Sequence, residues 1–205
     1  MKLLLLGPQG SGKGTVGKLI SEHFGIPIIS VGQTLRDMPV THPRKKEITE
    51  LLERGELAPQ DLAAELLKEE TSKDRCKNGF IFDGWGRVLI DLYYFDPDFD
   101  KAIYLSIPRE ISIGRIVSRR TCSKCGAIFN ILTVPPKVEG ICDICGGELL
   151  VRDDDTEEAL NRRLEIFYTE TMKVIDKFRN EGKLIEVDGS GTPEEVFQLV
   201  LKALM

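Results

Sequence analysis

Short apolar runs alternate along the chain with segments whose apolar residues recur at helical spacing. The runs are typical of strands buried on both faces, and they lie at 2–6, 26–30, 80–83, 102–107 and 184–187. The segments between them are typical of amphipathic helices; in the first, Val16, Leu19 and Ile20 share one helical face. The alternation predicts an α/β fold in which helices cover both faces of a doubly wound, five-stranded parallel sheet.

Two segments depart from this alternation, and we interpret them as lobes inserted into the core. Residues 31–59 predict short helices with one apolar stripe, formed by Ile48, Leu51 and Leu52. Residues 119–156 are rich in turn-forming residues and carry four of the five cysteines. The remaining segments form the predicted core: 1–30, 60–118 and 157–205.

The two C-terminal helices carry recognisable end signals. A long helix is predicted to begin at about residue 156 and to end near Gly182. The last helix has Thr192 as its predicted N-cap, Pro193 in its first turn and Glu195 to complete a capping box. These features stabilise a core and carry no functional information.

A glycine-rich turn connects the first strand directly to the first helix. Glycines allow backbone N–H groups to converge on an anion, the helix N-terminus adds a partial positive charge, and Lys13 can reach the outer phosphates. The spacing fits a phosphate-binding loop, although Gly14 stands at the usual Ser/Thr position and Thr15 follows it. A structural turn with an exposed lysine is the alternative, but strand, turn, lysine and helix together favour a nucleoside triphosphate. The residues predicted to contact it are Gly10, Ser11, Gly12, Lys13, Gly14 and Thr15.

Composition narrows the class of protein further. The chain of 205 residues suits one domain with inserted lobes, and 41% hydrophobic with 30% charged residues is ordinary globular material. The apolar run from Leu3 to Leu6 is too short for a signal peptide or a membrane span. A net charge of −5 argues against a nucleic-acid partner held by bulk electrostatics. Cysteines without an export signal indicate a reducing compartment, so we expect a cytoplasmic protein without a membrane partner.

Four cysteines form two pairs with the spacing of a zinc site. The pairs are separated by sixteen residues, and their members are Cys122, Cys125, Cys142 and Cys145. Four thiolates leave no open coordination position, so the predicted Zn²⁺ is structural. Two disulfides, an iron site and a zinc ribbon for nucleic acid are the alternatives, and the acidic neighbours of the cysteines disfavour the last. Cys76 is interpreted as an incidental free thiol.

Four motifs occur in an order that resembles the adenylate kinases, in the long form whose lid carries a zinc site. They are the phosphate loop, the segment 79–87 with Asp83 and Arg87, the arginines at 115, 119 and 120, and the segment 135–140. The likeness extends from Lys2 to the last helix. It implies a P-loop NTPase-type core with an NMP-binding lobe at 31–59 and a lid at 119–156. It also implies ATP, Mg²⁺ and a nucleoside monophosphate, with the reversible reaction ATP + AMP = 2 ADP.

The resemblance also implies roles for individual residues. Surrounding the transferred phosphoryl group are Lys13, Asp83, Arg119, Arg152 and Arg163. The donor nucleotide is expected to contact the phosphate loop and four further residues: Arg115, Arg119, Ile128 and Phe129. Contacting the acceptor are Val31, Arg36, Leu57, Ala58, Gly84, Trp85, Arg87, Asp91, Arg152 and Arg163. The chemistry agrees with these roles, because arginine binds phosphate bidentately and phosphoryl transfer needs positioning and charge neutralisation.

Departures from the family pattern concentrate where the acceptor base would be read. Val31 replaces a residue with a hydroxyl group, and Asp91 aligns with a glutamine that normally reads the adenine edge. An ionised carboxylate accepts hydrogen bonds but cannot donate one. The sequence therefore predicts intact phosphate binding and relaxed base specificity.

The segment 92–95 contains three consecutive aromatic residues beside this region. We interpret it as an edge of the core, with an exposed self-association patch as the alternative. Two other functions are alternatives for the whole chain: a catalytically idle nucleotide-binding adaptor with a zinc ribbon, and a P-loop kinase of a non-nucleotide acceptor. The set of arginines disfavours both.

Overall fold

The computed structural model describes residues 1–152 and 154–205. Its strands are β1 (Lys2–Leu6), β2 (Ile28–Ser30), β3 (Phe80–Asp83), β4 (Lys101–Ser106), β5 (Arg119–Cys122), β6 (Ile128–Asn130), β7 (Leu149–Leu150) and β8 (Leu184–Asp188). Its helices are α1 (Lys13–Phe24), α2 (Val31–Arg36), α3 (Lys45–Glu53), α4 (Gln60–Ser72), α5 (Leu89–Tyr94), α6 (Arg109–Val117), α7 (Glu157–Ile166), α8 (Met172–Asn180) and α9 (Pro193–Leu204).

The core is a five-stranded sheet in the order β2-β3-β1-β4-β8, and every pairing in it is parallel. The predicted fold class is confirmed. The second strand begins at Ile28 rather than at residue 26, because Gly25 caps the C-terminus of α1 and Ile26 still bonds back to that helix. The Ile26 N–H donates to the carbonyl of Ser21 at 3.2 Å, and Pro27 has no N–H to donate to a ladder.

The central strand β1 is buried on both faces, as its unbroken run of leucines predicts. Leu4 and Leu6 pack in a cluster with residues of α4 and α8, while Leu3 and Leu5 pack in a second cluster with residues of α1 and α9. Each fully buried leucine contributes about 1.5–3 kcal/mol to stability through removal of apolar surface from water. The two clusters therefore fix the sheet between two helical layers and hold its carboxyl ends in place.

The segment 119–156 contains a small antiparallel sheet in the order β6-β5-β7. The turn-rich sequence of this segment gave no prediction of these strands. They are two to four residues long, too short to show an alternation of apolar and polar residues.

The predicted end signals of the last helix are present. Thr192 Oγ1 accepts from the Glu195 N–H at 3.3 Å, and Glu195 Oε2 accepts from the Thr192 N–H at 2.8 Å. The preceding long helix runs from residue 157 to residue 180, but Phe167–Thr171 forms a wider π-helical turn between α7 and α8. Such turns are frequent at functional sites.

The aromatic segment 92–95 is interpreted either as an edge of the core or as an exposed patch, and its residues divide between the two. Leu92 is buried and Phe95 packs against the core, whereas Tyr93 and Tyr94 are 83% and 42% exposed. The buried pair belongs to an edge of the core, and a self-association surface at the tyrosines stays a prediction.

Within the described ranges, no helix combines the length and the apolar character needed to cross a membrane.

Candidate active site

A large cleft lies where the carboxyl ends of β1, β2 and β3 meet the two inserted segments. Its volume is about 1710 Å³, and its walls come from the glycine-rich loop, from residues 30–58 and from residues 115–152, among others. Ligands of open parallel sheets bind outside the carboxyl ends of the strands, so the cleft lies where the fold favours a site.

The glycine-rich loop has a backbone that only glycine can follow at two positions. Gly7 and Gly10 have φ values of 149° and 79°, and a Cβ at either would lie within 3 Å of a neighbouring carbonyl oxygen. The loop then enters α1 at Lys13, and the helix N-terminus directs its partial positive charge into the cleft. The predicted loop residues, from Gly10 to Thr15, all line the cleft.

The ammonium group of Lys13 lies inside the loop. Its Nζ donates to the carbonyls of Gly7 and Pro8 at 2.6 and 2.8 Å and to Ser11 Oγ at 3.3 Å. Burial lowers the pKa of Lys13 to about 8, against the opposing effect of the Asp83 carboxylate. An anionic ligand would favour the charged form of this lysine.

Two adjacent carboxylates join arginines that are far apart in the sequence. Asp154 Oδ2 accepts from Arg36 Nη2 and from Arg163 Nη2, each at 2.6 Å. Asp155 accepts from Arg119, with Nε at 2.9 Å from Oδ2 and a second bond to Oδ1. Burial would raise the pKa of Asp154, but the charges of Arg36 and Arg163 hold it below its usual value. The carboxylates thus bring arginines of both inserted segments and of the core into one cluster.

Two further arginines lie in this cluster, and neither forms an ion pair with a carboxylate of the described residues. Arg152 Nε donates to Thr121 Oγ1 at 3.1 Å, and burial, with the charges of Arg119 and Arg36, lowers the pKa of Arg152 to about 10. Burial and the neighbouring Arg163 lower the pKa of Arg87 to about 10 as well. Crowded cations of this kind repel one another, and a polyanion bound between them would relieve the repulsion.

The end of the cleft next to β3 is mostly apolar. Val31 and Trp85 are 7% and 2% exposed, and Gly84 has a φ of 87° that brings its backbone beside Val31. Leu57 and Ala58 complete this wall. The Trp85 indole donates to the carbonyl of Phe95 at 2.9 Å, which fixes the ring and the loop that carries it.

Asp91 has a structural contact that the sequence analysis did not anticipate. Its Oδ2 accepts from the N–H groups of Arg87 and Val88 at 2.8 and 3.2 Å and so caps the N-terminus of α5. Burial raises the pKa of this carboxyl group, although the two N–H groups oppose the shift. Asp91 also lines the cleft, but its Oδ2 already accepts the hydrogen bonds that cap α5.

The opposite end of the cleft contains the predicted donor contacts. Arg115 donates to the carbonyls of Gly189 and Ser190, each at 2.8 Å, and this fixes its guanidinium plane beside the loop. Ile128 is 40% exposed, and its Cδ1 faces the loop at Gly14, 3.9 Å from an ideal Cβ there. Phe129 also borders the cleft, but it is buried in a cluster with Ala127, Leu149 and two of the cysteines. Asp83 Oδ2 lies at the same distance from that Cβ position, so a carboxylate also borders the loop.

The four predicted metal ligands come together. The sulfur atoms of Cys122, Cys125, Cys142 and Cys145 lie within 4.8 Å of one another. Two of their separations are 3.5 and 3.6 Å, close to the edge of about 3.8 Å expected for a tetrahedron of thiolates around Zn²⁺ with bonds of about 2.3 Å. The N–H groups of Cys125 and Lys124 favour the thiolate and lower the pKa of Cys122 to about 6. Cys76 is buried elsewhere, with its thiol directed to the carbonyl of Glu70.

Several residues in the cleft were not found by sequence reasoning, among them Phe167, Thr171 and Gln9. Phe167 and Thr171 belong to the π-helical turn, and Thr171 Oγ1 donates to the carbonyl of Arg87 at 2.8 Å. They stand four and eight residues after Arg163, and this helical spacing was the signal that could have identified them. No periodic pattern marks Gln9.

Comparison with known proteins identifies the family. The family model described as adenylate kinase matches residues 5–183. The chain belongs to the adenylate kinase family. It is 40% identical to the adenylate kinase of Thermosipho melanesiensis, with 100% of this chain and 99% of that protein covered. The adenylate kinase of Clostridium tetani is 37% identical, with 100% and 98% covered, and that of Caldicellulosiruptor saccharolyticus 39%, with 100% and 99% covered.

Membership of the adenylate kinase family confirms the resemblance derived from the motifs. The chain is a phosphotransferase of the nucleoside monophosphate kinase class, and its four clustered cysteines fit the long form with a metal-binding lid.

Proposed function

We propose that the enzyme transfers the terminal phosphoryl group of ATP to AMP, reversibly, and uses other nucleoside monophosphates at appreciable rates. The observation that carries the proposal is the set of cations that line one continuous cleft, from the glycine-rich loop to the apolar end. These cations are Lys13, Arg36, Arg87, Arg119, Arg152 and Arg163. Two phosphate-bearing substrates are the ligands that such a cleft would neutralise.

The donor occupies the loop end in this proposal. Backbone N–H groups of the loop and Lys13 hold the β- and γ-phosphates, and the base lies between Arg115 and Ile128. Ile128, which is more exposed than Phe129, provides most of the apolar surface toward the base, and Phe129 lies beside it at the edge of the buried lid cluster.

The acceptor phosphate is held by Arg36 and Arg87. One of its oxygens attacks the γ-phosphorus while the bond to the β–γ bridging oxygen breaks, and no covalent intermediate with the protein forms. Arg119, Arg152 and Arg163 stabilise the charge on the transferring group, which is the main requirement of phosphoryl transfer. We propose that the segments 31–59 and 119–156 move as lobes to bring these arginines together.

The enzyme fits a requirement for Mg²⁺ with ATP. A carboxylate beside the loop is the oxygen ligand that Mg²⁺ prefers, and Asp83 provides it, directly or through water. When bound, the ion would neutralise phosphate charge and help to align the two reacting groups.

Zinc is the metal that the four thiolates of the lid fit best. The donor set is all sulfur and the separations are those of a closed tetrahedral site, so we propose a structural Zn²⁺ that stabilises the lid.

Acceptor specificity follows from the side chains at the apolar end. Val31 offers no hydrogen bond, and Asp91 uses one oxygen to cap α5. The adenine edge needs both a donor and an acceptor opposite it, so direct reading of the base is weak while Arg36 and Arg87 hold the common phosphate.

The test is kcat/KM for AMP, GMP, CMP, UMP and dTMP with ATP as donor. We expect AMP to be preferred by less than about 10³-fold over at least one other monophosphate, since larger ratios need a fully hydrogen-bonded reading site. A preference above that value over all four would refute relaxed specificity and leave AMP phosphorylation standing. Absence of ADP formation with AMP would refute the proposed reaction itself.

A further inference from the structure

The side chain of Gln9 lies between the glycine-rich loop and two of the arginines proposed to act in transfer. In one orientation of its amide, Nε2 lies 3.3 Å from Asp155 Oδ1. In the opposite orientation, Oε1 accepts from Arg119 Nη2 at 3.2 Å and from Arg163 Nη1 at 2.8 Å. Amide orientation is assigned from the hydrogen-bond network, and two bonds from charged donors outweigh one long bond. The oxygen therefore faces the arginines.

These contacts connect three parts of the molecule. Gln9 belongs to the loop, Arg119 begins the lid segment at β5, and Arg163 lies on α7 in the core. Asp155 binds Arg119 and lies 3.8 Å from Arg163 Nη1, so it supplies the negative charge of the cluster. Gln9 adds an acceptor without adding charge. A carboxylate in its place would repel both Asp155 and an arriving phosphate.

The backbone of Gln9 is held independently of its side chain. The hydroxyl of Ser112, which is fully buried in α6, donates to the carbonyl of Gln9. Gly10 follows with a φ of 79°, and its Cα is too close to the carbonyl of Ser112 to accept a Cβ. The base of the Gln9 side chain is thus fixed, while its amide group reaches the arginines.

We propose that Gln9 is a positioning residue that orients the guanidinium groups of Arg119 and Arg163 toward the loop before phosphoryl transfer. This inference rests on the proposed roles of those two arginines. Misplacement of a catalytic group by about 1 Å can cost about 10²-fold in rate, so loss of one of several positioning contacts should have a smaller but measurable effect.

The first experiment compares Gln9→Leu with Gln198→Leu. Leucine removes the amide group with little change in volume, and Gln198 is an exposed residue of α9 that bonds only with Glu194 among the described contacts. We expect Gln9→Leu to lower kcat about tenfold with KM for ATP within about threefold of the wild type. Gln198→Leu should change neither. Distortion of the phosphate loop would instead raise KM for ATP strongly, and that pattern would overturn the proposal.

The second experiment repeats the Gln9 substitution in an Arg119→Lys background. If Gln9 acts in part through Arg119, Gln9→Leu should lower kcat clearly less in the Arg119→Lys background than in the wild type, because one of the two groups to be oriented is already altered. A full tenfold loss in both backgrounds would overturn the proposal. Near-wild-type kcat for Arg119→Lys alone would instead refute the proposed role of Arg119.

Thermal unfolding of each variant is measured beside the kinetics. Should Gln9→Leu fail to fold, Gln9→Asn makes the same test, because it keeps the amide but withdraws the oxygen from both arginines. A kcat within twofold of wild type for the folded variant would overturn the proposal.

Discussion

At the scale of single residues, Lys13 shows how the site is prepared for an anion. Its ammonium group is half-buried, its hydrogen bonds to described residues all go to neutral oxygens of the loop, and burial lowers its pKa to about 8. In the unfolded chain the pKa would return to about 10.4. The folded protein therefore binds fewer protons than the unfolded chain between these two values, and its stability from this group rises with pH across that window.

Replacement of Lys13 by methionine tests this. We expect Lys13→Met to raise the free energy of unfolding of the ligand-free enzyme at pH 7.5, and to lose about 1 kcal/mol of that advantage at pH 9.5. This figure is smaller than the full pKa shift would give, because part of the Lys13 side chain is exposed to solvent. Urea unfolding at both pH values measures it, with exposed Lys202→Met as control. A pH-independent difference would contradict the lowered pKa.

The same residue is predicted to be essential for the reaction. Lys13→Ala should lower kcat/KM about 10²–10³-fold, because a charge contact to the transferring group stabilises the transition state by about 3–4 kcal/mol. A coupled assay for ADP formation measures this, with Lys202→Ala as control. A variant within tenfold of the wild type would contradict the assignment of Lys13 to the donor phosphates.

Functional residues such as Lys13 could be predicted because the residues that define their role lie within a short sequence motif. Lys13 and the four cysteines are recognised from spacing alone. The cap formed by Asp91 and the contacts of Gln9 could not be predicted in the same way. Asp91 takes a local backbone partner that its predicted role in reading the base did not indicate, whereas Gln9 meets partners more than one hundred residues away in the sequence.

At the scale of elements, we expect the lid to depend on its proposed metal site more than on an apolar core. The strands β5, β6 and β7 are short, and the buried cluster beneath them consists of Cys122, Ala127, Phe129, Cys142 and Leu149. So small a core gives little stability of its own, and metal binding then supplies folding free energy.

Substitution of one metal ligand tests the lid. We expect one zinc per chain in the wild type and loss of that zinc in Cys125→Ala, with a lower Tm and faster backbone exchange in residues 119–152. The affinity of the core loop for ATP should change less than the stability of the lid. Metal analysis and hydrogen exchange measure this, and Cys76→Ala is the matched control because its thiol lies outside the cluster. The zinc proposal would be wrong if freshly purified protein contained no metal and its cysteines were oxidised in pairs. Two disulfides would then hold the lid.

At the scale of the whole molecule, the approach of the 31–59 segment to α7 and to the arginine cluster depends on a small number of close polar and backbone contacts. The carbonyl of Leu52 accepts from Arg163 Nη2 at 2.9 Å, and Arg36 reaches Asp154. Gly55, with a φ of 71°, lies so close to α7 that a Cβ would be 2.4 Å from the carbonyl oxygen of Ala159. The 31–59 segment can approach the core this closely only with glycine at position 55.

Gly55→Ala should therefore oppose the approach of this segment to α7. We expect KM for the monophosphate to rise about tenfold, since the acceptor arginine Arg36 is carried by the segment, with a smaller change in KM for ATP. Gly25→Ala is the matched control, because Gly25 has a similar φ of 64° but no described heavy atom within 4 Å of a Cβ. Equal kinetic effects of the two variants would show that backbone strain alone is responsible.

The crowding of arginines in the cleft has a consequence for how substrates arrive. The chain as a whole carries a charge of −5, so a nucleotide approaching from a distance meets a weakly repulsive field. Only within about one Debye length, roughly 8–10 Å in physiological salt, does the local positive potential dominate and accelerate capture. Higher ionic strength shortens that range, so association of nucleotide should slow with added salt even though the protein and its ligands are both anionic.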